Sequence, residues 1–291
     1  AVVYELMMEL AWHSDHVDVS KWIKDYVLAR YGKTDENINA AWQLFLQTVY
    51  SSNNGYSEGP PENALCARPA LQIKSASSWG NITKKFDIEK YKEGVRSFVK
   101  SFAAFKSSST YRIDAIDFIR QDIADDADTV LKKLGIAYEQ KNKDDFNKET
   151  KAFLQLIDQT NDLLNTNDYY KLSTYLSQAE AAGNTAVEKK NNLLNALMLI
   201  TYWGGNDPKE DHLHEYAYKE WGGLMNDFYK KRWQLYFAGL NKQLDGEESP
   251  KINFFQWERN WVKDFYTVGK IPDNTSEYSL GQMIRSIYNK D

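Results

Sequence analysis

The sequence predicts an all-α chain, an irregular multi-helix bundle, and three observations carry that prediction. Apolar residues recur at three- and four-residue spacing along most of the 291 positions. Runs of alternating apolar and polar residues, the mark of half-buried strands, are weak throughout. No heptad or longer repeat is sustained, which sets aside a coiled coil or a solenoid. A chain this long buries a substantial core.

Taken in order, residues 2–12 place Val2, Val3, Leu6, Met7 and Leu10 on one helical stripe, closed by Trp12. A linker over 13–17 leads to a helix over 21–31, capped by Asp18 or Ser20, with Trp22, Tyr26 and Ala29 on its apolar face. Gly32 suits the left-handed position just past its end. Arg30 on this helix either pairs outward or reaches a buried acid. Thr34 or Asp35 opens a further helix to about Tyr50, with Ala41, Leu44, Phe45, Thr48 and Val49 inward. Residues 51–79 then form a long irregular stretch, because Asn54-Gly55, Gly59-Pro60-Pro61 and Arg68-Pro69 forbid a continuous helix. Loops of this length are commonly functional or wrap a neighbour.

Helical patterning resumes at Ile88 with the stripe Tyr91, Val95, Phe98, Val99 and Phe102. A second helix over 111–135 sets Ile113, Ile116, Ile119, Ile123, Ala127, Val130 and Leu134 at near-ideal spacing, and a third spans 143–164. Asp168 caps a helix over 169–183, and Thr185 caps the next. That helix breaks at Trp203-Gly204-Gly205 into a polar loop with Pro208, His212 and His214, and the chain re-enters helix through Tyr216, Tyr218 and Trp221. Helices over 226–244, 254–266 and 276–289 complete the chain.

An aromatic at the mouth of a Gly-Gly break is either the cap of a helix junction or a ligand contact on a rigid support. Tyr and Trp offer a flat apolar face with a polar tip, which suits the faces of a sugar ring. Aromatics make up 14% of the chain, a mild pointer in the same direction. A net charge of −5 leaves no basic footprint for nucleic acid, and no window approaches the length of a membrane span. The start lacks the basic-then-apolar plan of a signal peptide and opens inside a helical pattern, as a fragment or processed chain would.

Complete chemistry is not visible. Asp125-Asp126-Asp128 and Asp144-Asp145 read as solvated acids, Glu5 and Glu9 as partners for Arg or backbone donors, and Cys66 as an inert thiol. His212 and His214 suit hydrogen bonding better than metal ligation, and neither a metal nor an organic cofactor is implied. Residues 51–79 and 203–221 look like edges of a site whose other half lies elsewhere.

The blocks VVYELMMELAW, WIKDYVLARYG, AAWQLFLQTVY, RPALQ and ITYWG…EYAYKEWGGLMNDFYKKRW, in that order, resemble the C-terminal helical region of the glycoside hydrolase family 89 α-N-acetylglucosaminidases. The resemblance implies the C-terminal domain of a larger, barrel-containing glycosidase: a small α/β domain, a (β/α)8-type barrel bearing two catalytic glutamates, then this helical domain. No catalytic residue is then expected here, and Glu5 and Glu9 do not match the catalytic positions. Trp203, Leu213 and Tyr216 match residues that meet a terminal α-linked N-acetylglucosamine, and Arg68 matches a structural arginine. The implied protein is an exo-acting, retaining α-N-acetylglucosaminidase, with this fragment inactive alone and partnered by its own upstream barrel. Within the domain, 1–50 are helices packing next to the barrel, 51–80 an irregular loop, and 81–291 the main bundle. Family habit implies export, to a bacterial periplasm or cell surface, or to the lysosome in a eukaryote. A free-standing helical glycan-binding module and a purely bracing domain are the alternatives.

Overall fold

The computed structural model describes residues 1–13, 15–51, 62–77, 80–205, 207–268 and 276–288. Among these the regular structure is helical, and the single β-like pairing is an isolated parallel bridge between Lys171 and Gly222. The chain is all-α. The expected turns at Asn54-Gly55 and Gly59-Pro60-Pro61, Trp79, and the last residues of the closing helix lie outside the described residues. No described helix is long and apolar enough to cross a membrane. Two compact units divide the chain.

The first unit comprises Ala1–Gly55, Lys85–Asp122 and Ile284–Asp291. Its helices are α1 (Val2–Leu10), α2 (Val19–Tyr31), α3 (Glu36–Gln47), α4 (Ile88–Lys100), the short α5 (Phe102–Phe105) and the start of α6 (Ser109–Glu139). Asp18 and Asp35 cap α2 and α3 through the Lys21 and Ile38 amides, and Gly32 ends α2 at φ 79°. The core is aromatic: Phe45 meets Phe118 at 4.2 Å between centroids, and Phe98 stacks on Tyr111 at 4.6 Å. Gly94 lets α3 and α4 close on each other, since a Cβ there would sit 2.8 Å from the Phe45 ring. Arg30 reaches a partly buried acid: its Nε and Nη2 donate to Asp114 at 2.6 and 2.7 Å, and the Tyr31 hydroxyl joins them at 2.7 Å.

Two expectations are corrected in this unit, and a third stripe stands uncovered. The buried face of α2 is Ile23, Tyr26, Val27 and Tyr31, while Trp22 is half-buried and Ala29 exposed, so the stripe is rotated from the expected one. Helix α3 stops at Gln47, where Thr48 leaves helical geometry and turns its hydroxyl back to the Leu44 carbonyl. On α1 only Val2 is buried; Val3, Met7 and Leu10 are exposed, as is Trp12 just beyond its end, by 84%.

The second unit comprises Tyr56–Lys84 and Ile123–Met283. It holds the rest of α6, α7 (Lys143–Leu164), α8 (Leu172–Ala181), α9 (Ala186–Leu199), α10 (Lys231–Leu244), α11 (Phe254–Val268) and the start of α12 (Leu280–Tyr288). Helix α7 keeps the predicted bounds, with Asn142 as its cap, and Thr185 opens α9 through a full capping box with Glu188. Helix α8 begins later than predicted. Asp168–Tyr170 is a separate 3-10 turn, and Lys171 is extended because Gly222 donates to the Tyr170 carbonyl at 2.8 Å and accepts from Leu172 at 3.0 Å. Trp233, Phe153 and Phe237 form the centre, with Trp233 and Phe153 centroids 4.5 Å apart. Asp125 and Asp128 are not solvated: they surround the nearly buried Lys84 ammonium at 3.7 and 2.5 Å.

Candidate functional site

The break after α9 holds two of the three non-glycine residues with positive φ among the described residues. Trp203 adopts φ 37° and Glu215 φ 54°, both in the left-handed region that costs a bulky L-residue on the order of 1 kcal/mol. Backbone strain of this kind persists only where the surroundings over-determine it. At Trp203 the amide donates to the Met198 carbonyl at 2.9 Å, closing the end of α9. Between these points runs a 3-10 segment, Pro208–Leu213, opened by Asp207 and by Pro at its first position. The expected return to helix through Tyr216, Tyr218 and Trp221 does not occur. Turns run to Ala217, an irregular stretch leads to the bridge at Gly222, and the helix restarts as a π turn over Met225–Lys230 that runs into α10. Gly222 and Gly223 explain the delay: the Gly223 amide donates to Asn161 Oδ1 at 2.8 Å, and a Cβ on Gly222 would lie 2.1 Å from Asn165 Oδ1.

Two of the three predicted contact residues come together as a ring pair. Trp203 and Tyr216 meet edge-to-face with centroids 4.9 Å apart. Leu213 is tied to Tyr216 through the backbone, its carbonyl accepting from the Tyr216 amide at 3.2 Å. Trp203 and Leu213 are half-buried and Tyr216 is 53% exposed, so the three form an open aromatic ledge and not a closed cavity. A neighbouring cleft of about 420 Å³ is lined by Arg68, Asp211 and residues 251–255, not by the ledge.

Beneath the ledge lies a charge network that sequence reasoning missed. Arg68 donates to Asp211 at 2.9 and 2.5 Å and to Glu258 at 3.0 and 2.7 Å. Arg232 donates to Glu215 at 2.6 Å, to Glu258, and to the Cys66 carbonyl at 2.9 Å. Arg232, Glu215 and Glu258 are fully buried, and the Arg232 guanidinium also lies over the Phe228 ring at 4.5 Å. Arg68 therefore fixes carboxylates of its own chain, which agrees with a structural role for it.

Two cations face three acids here. Burial and the nearby Glu258 push the Glu215 carboxyl up to about 8, against the pull of Arg232 and Arg68. Burial opposes ionisation of Asp211 as well, but the hydrogen bonds and charge of Arg68 outweigh it and hold that carboxyl below its ordinary value. His214 is held below the usual histidine range by burial and by Arg68, with Nδ1 2.5 Å from the Asp211 carbonyl oxygen. His212 is exposed and Nδ1 sits 3.1 Å from the Lys209 carbonyl oxygen. Among the described residues no cluster of metal-ligating side chains is present. Asp211 and Glu215 are both engaged by arginines, Asp211 by Arg68 and Glu215 by Arg232. Glu9 meets His13 at 3.3 Å on an exposed face of α1.

Comparison with known proteins follows the same outline. Residues 22–290 match the family model described as the alpha-N-acetylglucosaminidase (NAGLU) C-terminal domain. Human alpha-N-acetylglucosaminidase is 29% identical over 248 residues, covering 82% of this chain and 31% of the human protein. Among solved structures, a family 89 glycoside hydrolase from Clostridium perfringens in complex with PUGNAc superposes with a TM-score of 0.92 at 29% identity, covering 99% of this chain and 33% of that one. The enzyme from the same organism, with two glutamates changed to glutamine and in complex with its substrate GlcNAc-alpha-1,4-galactose, superposes with a TM-score of 0.91 at 30% identity. That match covers 98% of this chain and 33% of the other. The chain thus spans about a third of the length of the relatives it matches.

Proposed function

The chain belongs to the family of alpha-N-acetylglucosaminidase C-terminal domains, and from that premise we propose that it supplies one wall of the sugar pocket in an exo-acting, retaining α-N-acetylglucosaminidase. The observation that carries the proposal is the Trp203–Tyr216 pair, an aromatic ledge presented to solvent on a strained, tightly fixed turn. Tyr216, 53% exposed as a residue, offers the apolar side of a pyranose an aromatic stacking surface, and Leu213 extends it. The ledge is one-sided, so an enclosed pocket needs a second body. We assign that body to an upstream barrel holding the catalytic glutamates. Its chemistry would follow the retaining scheme: one carboxyl protonates the glycosidic oxygen, and a carboxylate roughly 5–5.5 Å away attacks the anomeric carbon.

The exposed apolar residues Val3, Met7 and Leu10 of α1, with the exposed Trp12 just beyond its end, support such a partner, because an exposed apolar face of this kind marks an interaction surface. A pocket walled by a second domain is blind-ended, which favours removal of a terminal sugar over cleavage within a chain. Export, to a periplasm, cell surface or lysosome, is part of the same proposal. The ligands of the Clostridium perfringens structures, PUGNAc, an acetamido-dideoxynojirimycin and GlcNAc-alpha-1,4-galactose, support a 2-acetamido sugar as the group recognised.

The test is Trp203→Ala in the full-length protein, assayed on a chromogenic aryl α-N-acetylglucosaminide. A loss of kcat/KM of roughly 10- to 100-fold is expected, about 1.4–2.7 kcal/mol of transition-state stabilisation, with little change in thermal midpoint. The 291-residue chain alone is expected to hydrolyse nothing. Wild-type activity in Trp203→Ala would remove Trp203 from the pocket.

A further inference from the structure

Residues 203–216 carry the ledge but have little to hold them in place by themselves. Among the described residues of this stretch the one regular element is a six-residue 3-10 segment, and the ledge residues are half-buried or exposed. Apolar burial does not fix such a loop. Its buried anchor is Glu215, which is inaccessible to solvent and holds both ends of the turn. The Glu215 amide donates to the Thr201 carbonyl at 2.9 Å, two residues before Trp203, and its carboxyl oxygen accepts from Arg232 of α10 at 2.6 Å. Its left-handed backbone then turns Tyr216 outward toward Trp203. At the other end of the segment Asp211, two residues before Leu213, lies in the two-pronged grip of Arg68. The two guanidinium groups are joined through Glu258 of α11.

We propose that these paired guanidinium clamps are the device that positions Trp203 and Tyr216, making Asp211, Glu215 and Arg232 positioning residues for the reaction. Buried ion pairs seldom add net stability over an apolar replacement; their best-attested use is to select one arrangement. A pocket wall needs that selection, since a loosely held contact loses its catalytic value. Neither arginine donates to the ledge side chains themselves, so the clamps act through the backbone of the turn. The link to catalysis rests on the pocket-wall proposal above; the mechanical hold on the loop does not.

The experiment compares Asp211→Asn, Glu215→Ala and Glu215→Gln in the full-length protein, by amide hydrogen exchange over residues 207–218 and by kcat and KM on the aryl α-N-acetylglucosaminide. Asp211→Asn alters the half-exposed end of the network and is the variant chosen to keep the fold if Glu215→Ala does not. Both are expected to speed exchange in the segment at least tenfold and to lower kcat/KM at least tenfold. Glu215→Gln, which keeps an acceptor of the same size for Arg232, is expected to recover most of the Glu215→Ala loss. Combined with Trp203→Ala, the Asp211→Asn loss should largely disappear, because the wall it positions is gone. Unchanged exchange in Asp211→Asn and Glu215→Ala overturns the proposal, as do losses that multiply in the double variant. Faster exchange together with an active Trp203→Ala upholds the clamp's hold on the loop and overturns the pocket-wall proposal instead.

Discussion

Arg232→Met is the sharpest stability test of the second unit. The guanidinium is fully buried and donates to Glu215, Glu258 and the Cys66 carbonyl. After substitution Glu258 keeps its two hydrogen bonds from Arg68, but Glu215 and the Cys66 carbonyl lose the partner that Arg232 provides. Breaking a buried pair from one side costs about 3–5 kcal/mol, and the carbonyl belongs within that range because Met refills most of the volume. At about 2–4 °C per kcal/mol for a domain of this size, the thermal midpoint should fall by roughly 6–20 °C. The control is Lys143→Met, which breaks the half-exposed pair with Asp245 and should cost less than about 1 kcal/mol. Circular dichroism melts of both variants against wild type decide the matter. Equal shifts below about 4 °C would show that the network contributes no more than a surface pair, and the reasoning would fail.

The pH dependence follows from Glu215. Its carboxyl is pushed from 4.5 in the ordinary state up to about 8 by burial first, with Glu258 adding to it. The folded state therefore binds this proton more tightly, so the contribution is full below 4.5 and is lost as pH rises toward about 8. His214, held low, has the opposite sign and loses its contribution as pH falls below 6.5. Subtracting the midpoint of Glu215→Gln from that of wild type removes the histidine, and the difference should decline steadily between about pH 5 and pH 9; a flat difference would rule out the raised carboxyl. Gly222→Ala forces a Cβ to 2.1 Å from Asn165 Oδ1 and 3.0 Å from the Asn165 amide, so a loss of about 1–3 kcal/mol is expected by urea denaturation. Thr185→Ala removes the capping box of α9 and should cost about 1 kcal/mol, measured the same way.

What the sequence disclosed and what it hid divide along a physical line. Local chemistry was legible: Asp18, Asp35 and Thr185 cap where their side chains reach the third amide ahead, Gly32 takes the left-handed end, and α7 runs from Lys143 to Leu164 as its spacing predicts. The break after α9 was legible too, because Trp203-Gly204-Gly205 is written in consecutive residues, whereas the grouping of Tyr216 and Leu213 with Trp203 was implied only by the family resemblance. The supports of the ledge were not. Arg68 finds Asp211 143 positions away and Glu258 190 positions away, and nothing in periodicity or spacing couples them. Asp125 and Asp128 were misread for the same reason, since Lys84, which draws them out of solvent, is 44 positions from Asp128. The expected helix through Tyr216 failed because burying Glu215 against Arg232 fixes a left-handed backbone just where helical φ and ψ were wanted. The exposed stripe on α1 makes the same point from the other side. Val3, Met7 and Leu10 have the spacing of a core face, and periodicity cannot say whether the surface that covers such a face lies within this chain or in another domain.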